Sequence, residues 1–114
     1  MIPRGVDIFV GLEPIDLRWS FDRLADIAEQ RAGRPARSGA LFVYFGKRRD
    51  AIKVLFFDGS GLCQFYKRLD KGTFRLPTAQ SGETSITLEE SALDDLLDGI
   101  DVEVKAPRRA TRVH

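Results

Sequence analysis

Residues 51–69, AIKVLFFDGSGLCQFYKRL, constrain the fold more than any other stretch of the chain. Two runs rich in aliphatic and aromatic residues flank Asp58-Gly59-Ser60-Gly61. Glycine tolerates the positive φ of a tight hairpin loop, so the pattern predicts antiparallel strands over 51–57 and 62–69. With Gly59 and Ser60 as the loop, Phe57 faces Leu62, Leu55 faces Gln64 and Lys53 faces Tyr66. Side chains alternate across a strand. One face therefore carries Lys53, Leu55, Phe57, Leu62, Gln64, Tyr66 and Arg68. The other carries Ile52, Val54, Phe56, Cys63, Phe65 and Lys67; it is the more apolar and is expected to face the core.

The neighbouring segments extend this unit. Residues 40–46, ALFVYFG, are nearly all apolar and read as a strand joined to 51–57 by the turn KRRD, 47–50. Together they predict a three-stranded antiparallel meander over 40–69. Residues 6–12, VDIFVGL, alternate as a further strand. Asp16 stands at a helix N-cap position, and Leu17, Phe21, Leu24, Ala25 and Ala28 make an apolar stripe, predicting a helix over 17–32. Gly33 and Pro35 stop it. Thr87 and Glu90 have the spacing of a capping box ahead of a helix over 88–98, with Leu93, Leu96, Leu97 and Ile100 on one face. The expected fold is α+β: an antiparallel sheet of about four strands packed with two helices, forming one domain over 1–104. The tail 105–114 has too little apolar content to pack and is expected to be disordered and basic.

Composition excludes several classes. There is one cysteine, Cys63, so no disulfide framework forms within the chain, and a reducing cytoplasm fits. No apolar run approaches the ~18–20 residues of a membrane span, and the N-terminus lacks the apolar core of a secretory signal. The net charge of +1 is uninformative, but its distribution is sorted into blocks. Residues 34–75 hold ten bases against three acids, while 76–103 hold eight acids and no base. Such asymmetry points to an anionic partner for the middle of the chain.

Catalytic chemistry finds little support. His114 is terminal and Cys63 stands alone, which argues against zinc and against an activated thiol. Asp50, Asp58 and Asp70 flank the basic strands, but aspartate is a common turn residue because it bonds nearby backbone amides. Gly59-x-Gly61 lacks the third glycine of a dinucleotide loop and reads as a hairpin turn. Trp19 lies off the helix stripe, either anchoring the helix on the sheet or serving an interface. No cofactor is expected.

The residues Lys53, Leu55, Asp58, Gly59, Gly61, Tyr66, Lys67, Arg68, Leu69, Gly72, Phe74 and Pro77 form an ordered pattern. It reads Lys-x-Leu-x-x-Asp-Gly-x-Gly, then Tyr-Lys-Arg-Leu-x-x-Gly-x-Phe, then Pro. The pattern resembles the small accessory protein (TnpB, the second open reading frame product) of insertion-sequence-66-type transposons. The likeness extends upstream through Asp16-Leu17-Arg18 and Ser38 to Val43, and downstream from Leu88 to Ile100, about residues 5–103 in all. The chain departs from the family at Phe57 and Leu76, where tryptophan is frequent; both keep an apolar group. The resemblance implies a bacterial, non-catalytic factor that assists a separately encoded transposase and binds DNA, the transposase, or both.

Charge and resemblance together nominate a nucleic-acid-binding set: Lys47, Arg48, Arg49, Lys53, Tyr66, Lys67, Arg68, Lys71 and Arg75. Lysine and arginine displace counterions from phosphates, and a tyrosine ring can stack on a base. The competing reading is a solvated strand face whose charges serve solubility and protect the sheet edge. The expectation specific to the first reading is that these groups share one outward-looking side of the meander. A second functional reading is a module that docks on the transposase without touching DNA, guided by complementary charge.

Overall fold

A computed structural model describes residues 6–75 and 85–98. The order of elements is β1 (Ile8–Gly11), α1 (Phe21–Ile27) widening into a π-helical turn (Ala28–Ala32), and a short 3-10 turn (Ala36–Ser38). Then come β2 (Leu41–Phe45), β3 (Ala51–Phe57), β4 (Leu62–Arg68), β5 (Ser85–Leu88) and α2 (Glu90–Leu97). The five strands form one sheet in the order β4-β3-β2-β1-β5.

The meander forms in the expected register, with Phe57 opposite Leu62, Leu55 opposite Gln64 and Lys53 opposite Tyr66. The Asp58 carboxylate fixes the turn by accepting the amides of Ser60 and Gly61 at 2.9 and 3.0 Å. Gly59 takes φ 103°, the left-handed conformation its position requires. The sheet as a whole is mixed rather than antiparallel. β1 runs parallel to β2, pairing Ile8 with Leu41 and Val10 with Val43. Parallel neighbours need a long crossover, and the segment containing α1 supplies it.

Two other boundaries differ from the sequence reading. Helix α1 begins at Phe21, not at 17, with Ser20 in the N-cap position and no side-chain cap bond. Asp16 does not cap it. Its carboxylate instead accepts the Arg18 amide at 2.9 Å and pairs with the Arg18 guanidinium at 2.7 Å, turning the chain before the helix starts. Residues 85–88 form a strand, so Thr87 lies in β5 rather than capping a helix. β5 pairs antiparallel with β1, Val10 opposite Ile86 and Ile8 opposite Leu88. Without it the outer edge of β1 would present unpaired amides and carbonyls, and closing that ladder outweighs a capping box. Helix α2 follows from Glu90 with Glu89 at its N-cap. Gly99, Ile100, Pro77, Leu76 and the expected basic tail lie outside the described residues.

The sheet is covered on both faces. On one, Leu93 and Leu96 of α2 pack with Phe74 over Val10, Leu41, Val43, Ile52, Val54 and Phe56. On the other, Leu24, Ile27 and Ala28 pack over Phe42, Tyr44 and Leu55. This explains the unbroken apolar run at 41–45: β2 is central, and every one of its side chains is buried. The face expected to be core is core. The opposite, mixed face is not simply solvated, because α1 covers much of it.

Candidate nucleic-acid interface

The β2–β3 turn carries Lys47, Arg48 and Arg49, all exposed. It closes through the Arg49 amide donating to the Gly46 carbonyl at 3.0 Å. Arg49 sits at φ 59°, a left-handed conformation that costs a non-glycine residue roughly 1 kcal/mol. Glycine is required at 46 by close approach, since a Cβ there would fall 2.5 Å from a Leu17 methyl. The chain leaving β4 folds back onto this turn. The Leu69 amide donates to the Asp50 carbonyl at 2.8 Å, and the Phe74 amide to the Arg49 carbonyl at 2.7 Å. Phe74 is itself buried against Phe45, ring to ring at 6.0 Å, so the return is anchored from both sides. Arg68, Lys71 and Arg75, also exposed, are thereby brought to the same end of the sheet as Lys47, Arg48 and Arg49. Six of the nine nominated residues gather at this end.

The remaining three behave differently. Lys53 is 7% exposed, and its ammonium donates to the Trp19 carbonyl at 2.8 Å. It is withdrawn from the surface that a phosphate would touch. Lys67 points to the opposite face, where its ammonium donates at 2.6 Å to the carbonyl of Leu97 in the last turn of α2. A cation there also complements the negative end of the helix dipole. Six of the nominated residues therefore lie at one end of the sheet, whereas Lys53 and Lys67 are each tied to a backbone carbonyl away from that end. Alternation explains Lys67, which is one residue from both Tyr66 and Arg68. The helix laid over the mixed face explains Lys53. Tyr66 is 53% exposed on the edge strand β4, with the Lys53 ammonium 5.4 Å from its ring centroid.

The sequence reading missed a groove of about 460 Å³ beside the basic turn. Its apolar lining is made by Pro14, Ile15, Leu17 and Trp19, and Lys47 and Arg48 supply its positive charge. Asp16 and Asp50 also line it. The Asp16 carboxyl is held down to about 2 by its bonds from Arg18, so it stays ionised inside an ion pair rather than opposing an incoming anion. Trp19 is half-buried; the Arg23 guanidinium stacks 4.4 Å over its ring and its carbonyl is fixed by Lys53. The Trp19–Arg23 spacing of four residues was the only hint of this in the sequence.

Other chemistry-bearing groups serve the fold. The Asp58 carboxyl is held below the usual aspartate range by the backbone amides it accepts, chiefly that of Ser60 and then that of Gly61. The Cys63 thiol is half-buried on the α2 side; desolvation, and then the nearby Asp58 carboxylate, push it up, away from the thiolate a nucleophile needs. Among the described residues no group of three His, Cys, Asp or Glu side chains is placed to hold a metal ion. No described helix is long and apolar enough to cross a membrane. Glu89, Asp94, Asp95 and Asp98 of the C-terminal acidic block are exposed on α2 or at its two caps, and α2 packs on the face of the sheet opposite to that of Trp19.

The sequence model of the family described as IS66 Orf2 like protein matches residues 6–107. The chain belongs to the IS66 Orf2-like family. The match spans β1 through α2, so the whole described fold lies within it. Two proteins of Sinorhizobium fredii (strain NBRC 101917 / NGR234) are similar to this IS66 Orf2-like chain. The uncharacterized protein y4hO is 36% identical over 103 residues, covering 89% of this chain and 88% of its own length. The uncharacterized protein y4jC is 31% identical over 113 residues, covering 96% and 95% respectively. No solved structure matches. Membership associates the chain with transposition by an IS66-type element.

Proposed function

We propose that this IS66 Orf2-like protein is a non-catalytic accessory factor of transposition that acts in the bacterial cytoplasm. It binds DNA through the basic end of its sheet and assists the separately encoded transposase. The observation that carries this reading is the convergence of Lys47, Arg48, Arg49, Arg68, Lys71 and Arg75 through the two hydrogen bonds that dock residues 69 and 74 on the β2–β3 turn. Cations clustered on one end of a small domain neutralise phosphates and supply sequence-independent affinity. Lys53 and Lys67, each tied to a backbone carbonyl, serve the fold rather than the DNA contact.

A salt-titrated binding assay tests the reading, using transposon-end and random duplex, with and without the transposase. Affinity is expected to fall steeply with salt. Replacing Lys47, Arg48, Arg68 and Lys71 by glutamate together is expected to flatten the slope by about 0.9 for each phosphate no longer neutralised. Absence of binding at low salt, with co-purification on the transposase, would transfer the function to protein docking.

A further inference from the structure

We infer that the surface beside the basic turn takes unpaired, single-stranded DNA in preference to duplex, with a base stacked on Tyr66, a neighbouring base packed against Trp19 on the side that Arg23 leaves uncovered, and phosphates on Lys47, Arg48 and Arg68. The inference rests on the DNA-binding reading above and specifies the form of DNA.

Three observations carry it. First, the Lys53 ammonium is bonded to the Trp19 backbone carbonyl at 2.8 Å and stands 5.4 Å from the Tyr66 ring centroid, so the backbone of residue 19 and the Tyr66 ring flank one ammonium. Both residues thus lie on the α1 side of the sheet: Tyr66 exposed on strand β4, and Trp19 half-buried with the Arg23 guanidinium 4.4 Å over its ring. Second, Trp19 lines a groove of about 460 Å³ that Lys47 and Arg48 also line. A groove lined by both apolar groups and two cations suits a group with a flat apolar face and an anionic edge, which is what a nucleotide presents once its base has left the stack. Third, Arg68 lies on the same face of β4 as Tyr66, two residues along, and pairs in register with Ala51 beside the turn. The cations therefore border the aromatics. A purely backbone-reading surface needs only the cations. Bases inside a duplex keep their faces covered, so aromatic platforms gain contact area only from an unpaired strand.

Trp19 is the only tryptophan in the chain, so its fluorescence reports the site directly. The probes are a thymidine oligomer and a fully paired duplex, each of about twelve nucleotides per strand, the length scale of one such binding surface. The expected result is quenching of Trp19 emission by the oligomer and affinity about tenfold above that for the duplex, the scale of one to two stacked bases. Tyr66→Ala removes an exposed side chain and leaves the core intact. It is expected to lower oligomer affinity about tenfold while duplex affinity stays within twofold. Salt-dependent duplex binding equal to that of the oligomer, with Trp19 emission unchanged, would overturn the inference and leave the DNA-binding function standing. Failure of both probes to bind at low salt would overturn the function itself. Quenching by the purified transposase but not by the oligomer would also overturn the inference, assigning the groove to a protein.

Discussion

The Lys53 ammonium donates to the Trp19 carbonyl at 2.8 Å, fastening the middle of β3 to the chain just ahead of α1. The single lysine of β3 is thus committed to holding a helix entry. Its ammonium also lies 5.4 Å from the Tyr66 ring centroid, so one buried side chain touches the backbone of residue 19 and borders the ring of residue 66.

This relationship separates stability from binding. Lys53→Met keeps most of the side-chain volume but leaves the Trp19 carbonyl without its partner. The cost is expected to be about 1–2 kcal/mol, typical of a partly buried acceptor deprived of its donor. Urea denaturation reads it. The salt slope for duplex is expected to stay unchanged, whereas removing a cation that neutralises a phosphate would reduce it by about 0.9.

Lys67 makes the matching argument on the opposite face. Its ammonium meets the Leu97 carbonyl at 2.6 Å, satisfying one of the acceptors that a helix leaves open at its C-terminus. Lys67→Met is expected to loosen α2 by about 0.5–1.5 kcal/mol. Hydrogen exchange should accelerate across 90–97 and stay unchanged in β2 and β3. Duplex affinity is again expected to hold, in contrast to Arg68→Met one residue away.

Most of this fold was legible because its strongest signals are local. Asp58-Gly59-Ser60-Gly61 sets a hairpin register within ten residues of itself, and alternation then assigns each side chain to a face. What escaped was set by distant partners. Ser85–Leu88 becomes a strand because β1 has an open edge, a fact that the sequence around Thr87 does not contain. The parallel pairing of β1 with β2 likewise depends on where the α1 crossover returns the chain. The candidate site shows the same division. Lys47, Arg48 and Arg49 were visible as a basic turn. Their meeting with Arg68, Lys71 and Arg75 depends on backbone bonds from Leu69 and Phe74, and burial of Lys53 depends on α1 lying over it.

The hairpin turn carries a pH signature. Asp58 accepts bonds in its ionised form from Ser60 and Gly61, which holds its carboxyl below the ordinary value of 3.8. A group depressed in the folded state contributes stability that is fully present above the unfolded value and is lost as pH falls through the folded one. Hairpin stability should therefore weaken below about pH 4 in the native chain. Asp58→Asn keeps an acceptor oxygen for the turn and is expected to remove that part of the acid dependence. Asp58→Ala is expected to weaken the hairpin at neutral pH as well. Urea melts at about pH 6 and about pH 3 compare the three chains, and identical acid dependence in the native protein and the Asp58→Asn variant would refute the assignment.

Arg49 is the one described non-glycine residue with positive φ, at 59°, and it lies in the turn that gathers the cations. Strained backbone persists where surrounding structure holds it, and here the holders are visible. The Arg49 amide bonds the Gly46 carbonyl, and the Arg49 carbonyl receives the Phe74 amide at 2.7 Å. Glycine at this position would relieve the left-handed cost while adding freedom to the unfolded chain, two effects of about 1 kcal/mol each that largely offset. Arg49→Gly is therefore expected to leave the thermal midpoint within a few degrees of the native value, or to raise it. Arg49→Val, β-branched and unsuited to this conformation, is expected to lower it clearly, by about 1–2 kcal/mol in stability. Both substitutions remove the same positive charge, so both should flatten the salt slope for duplex alike. Equal thermal midpoints for the two variants would mean that residue 49 does not hold this conformation in solution, and the docking of Phe74 on the turn would lose its explanation.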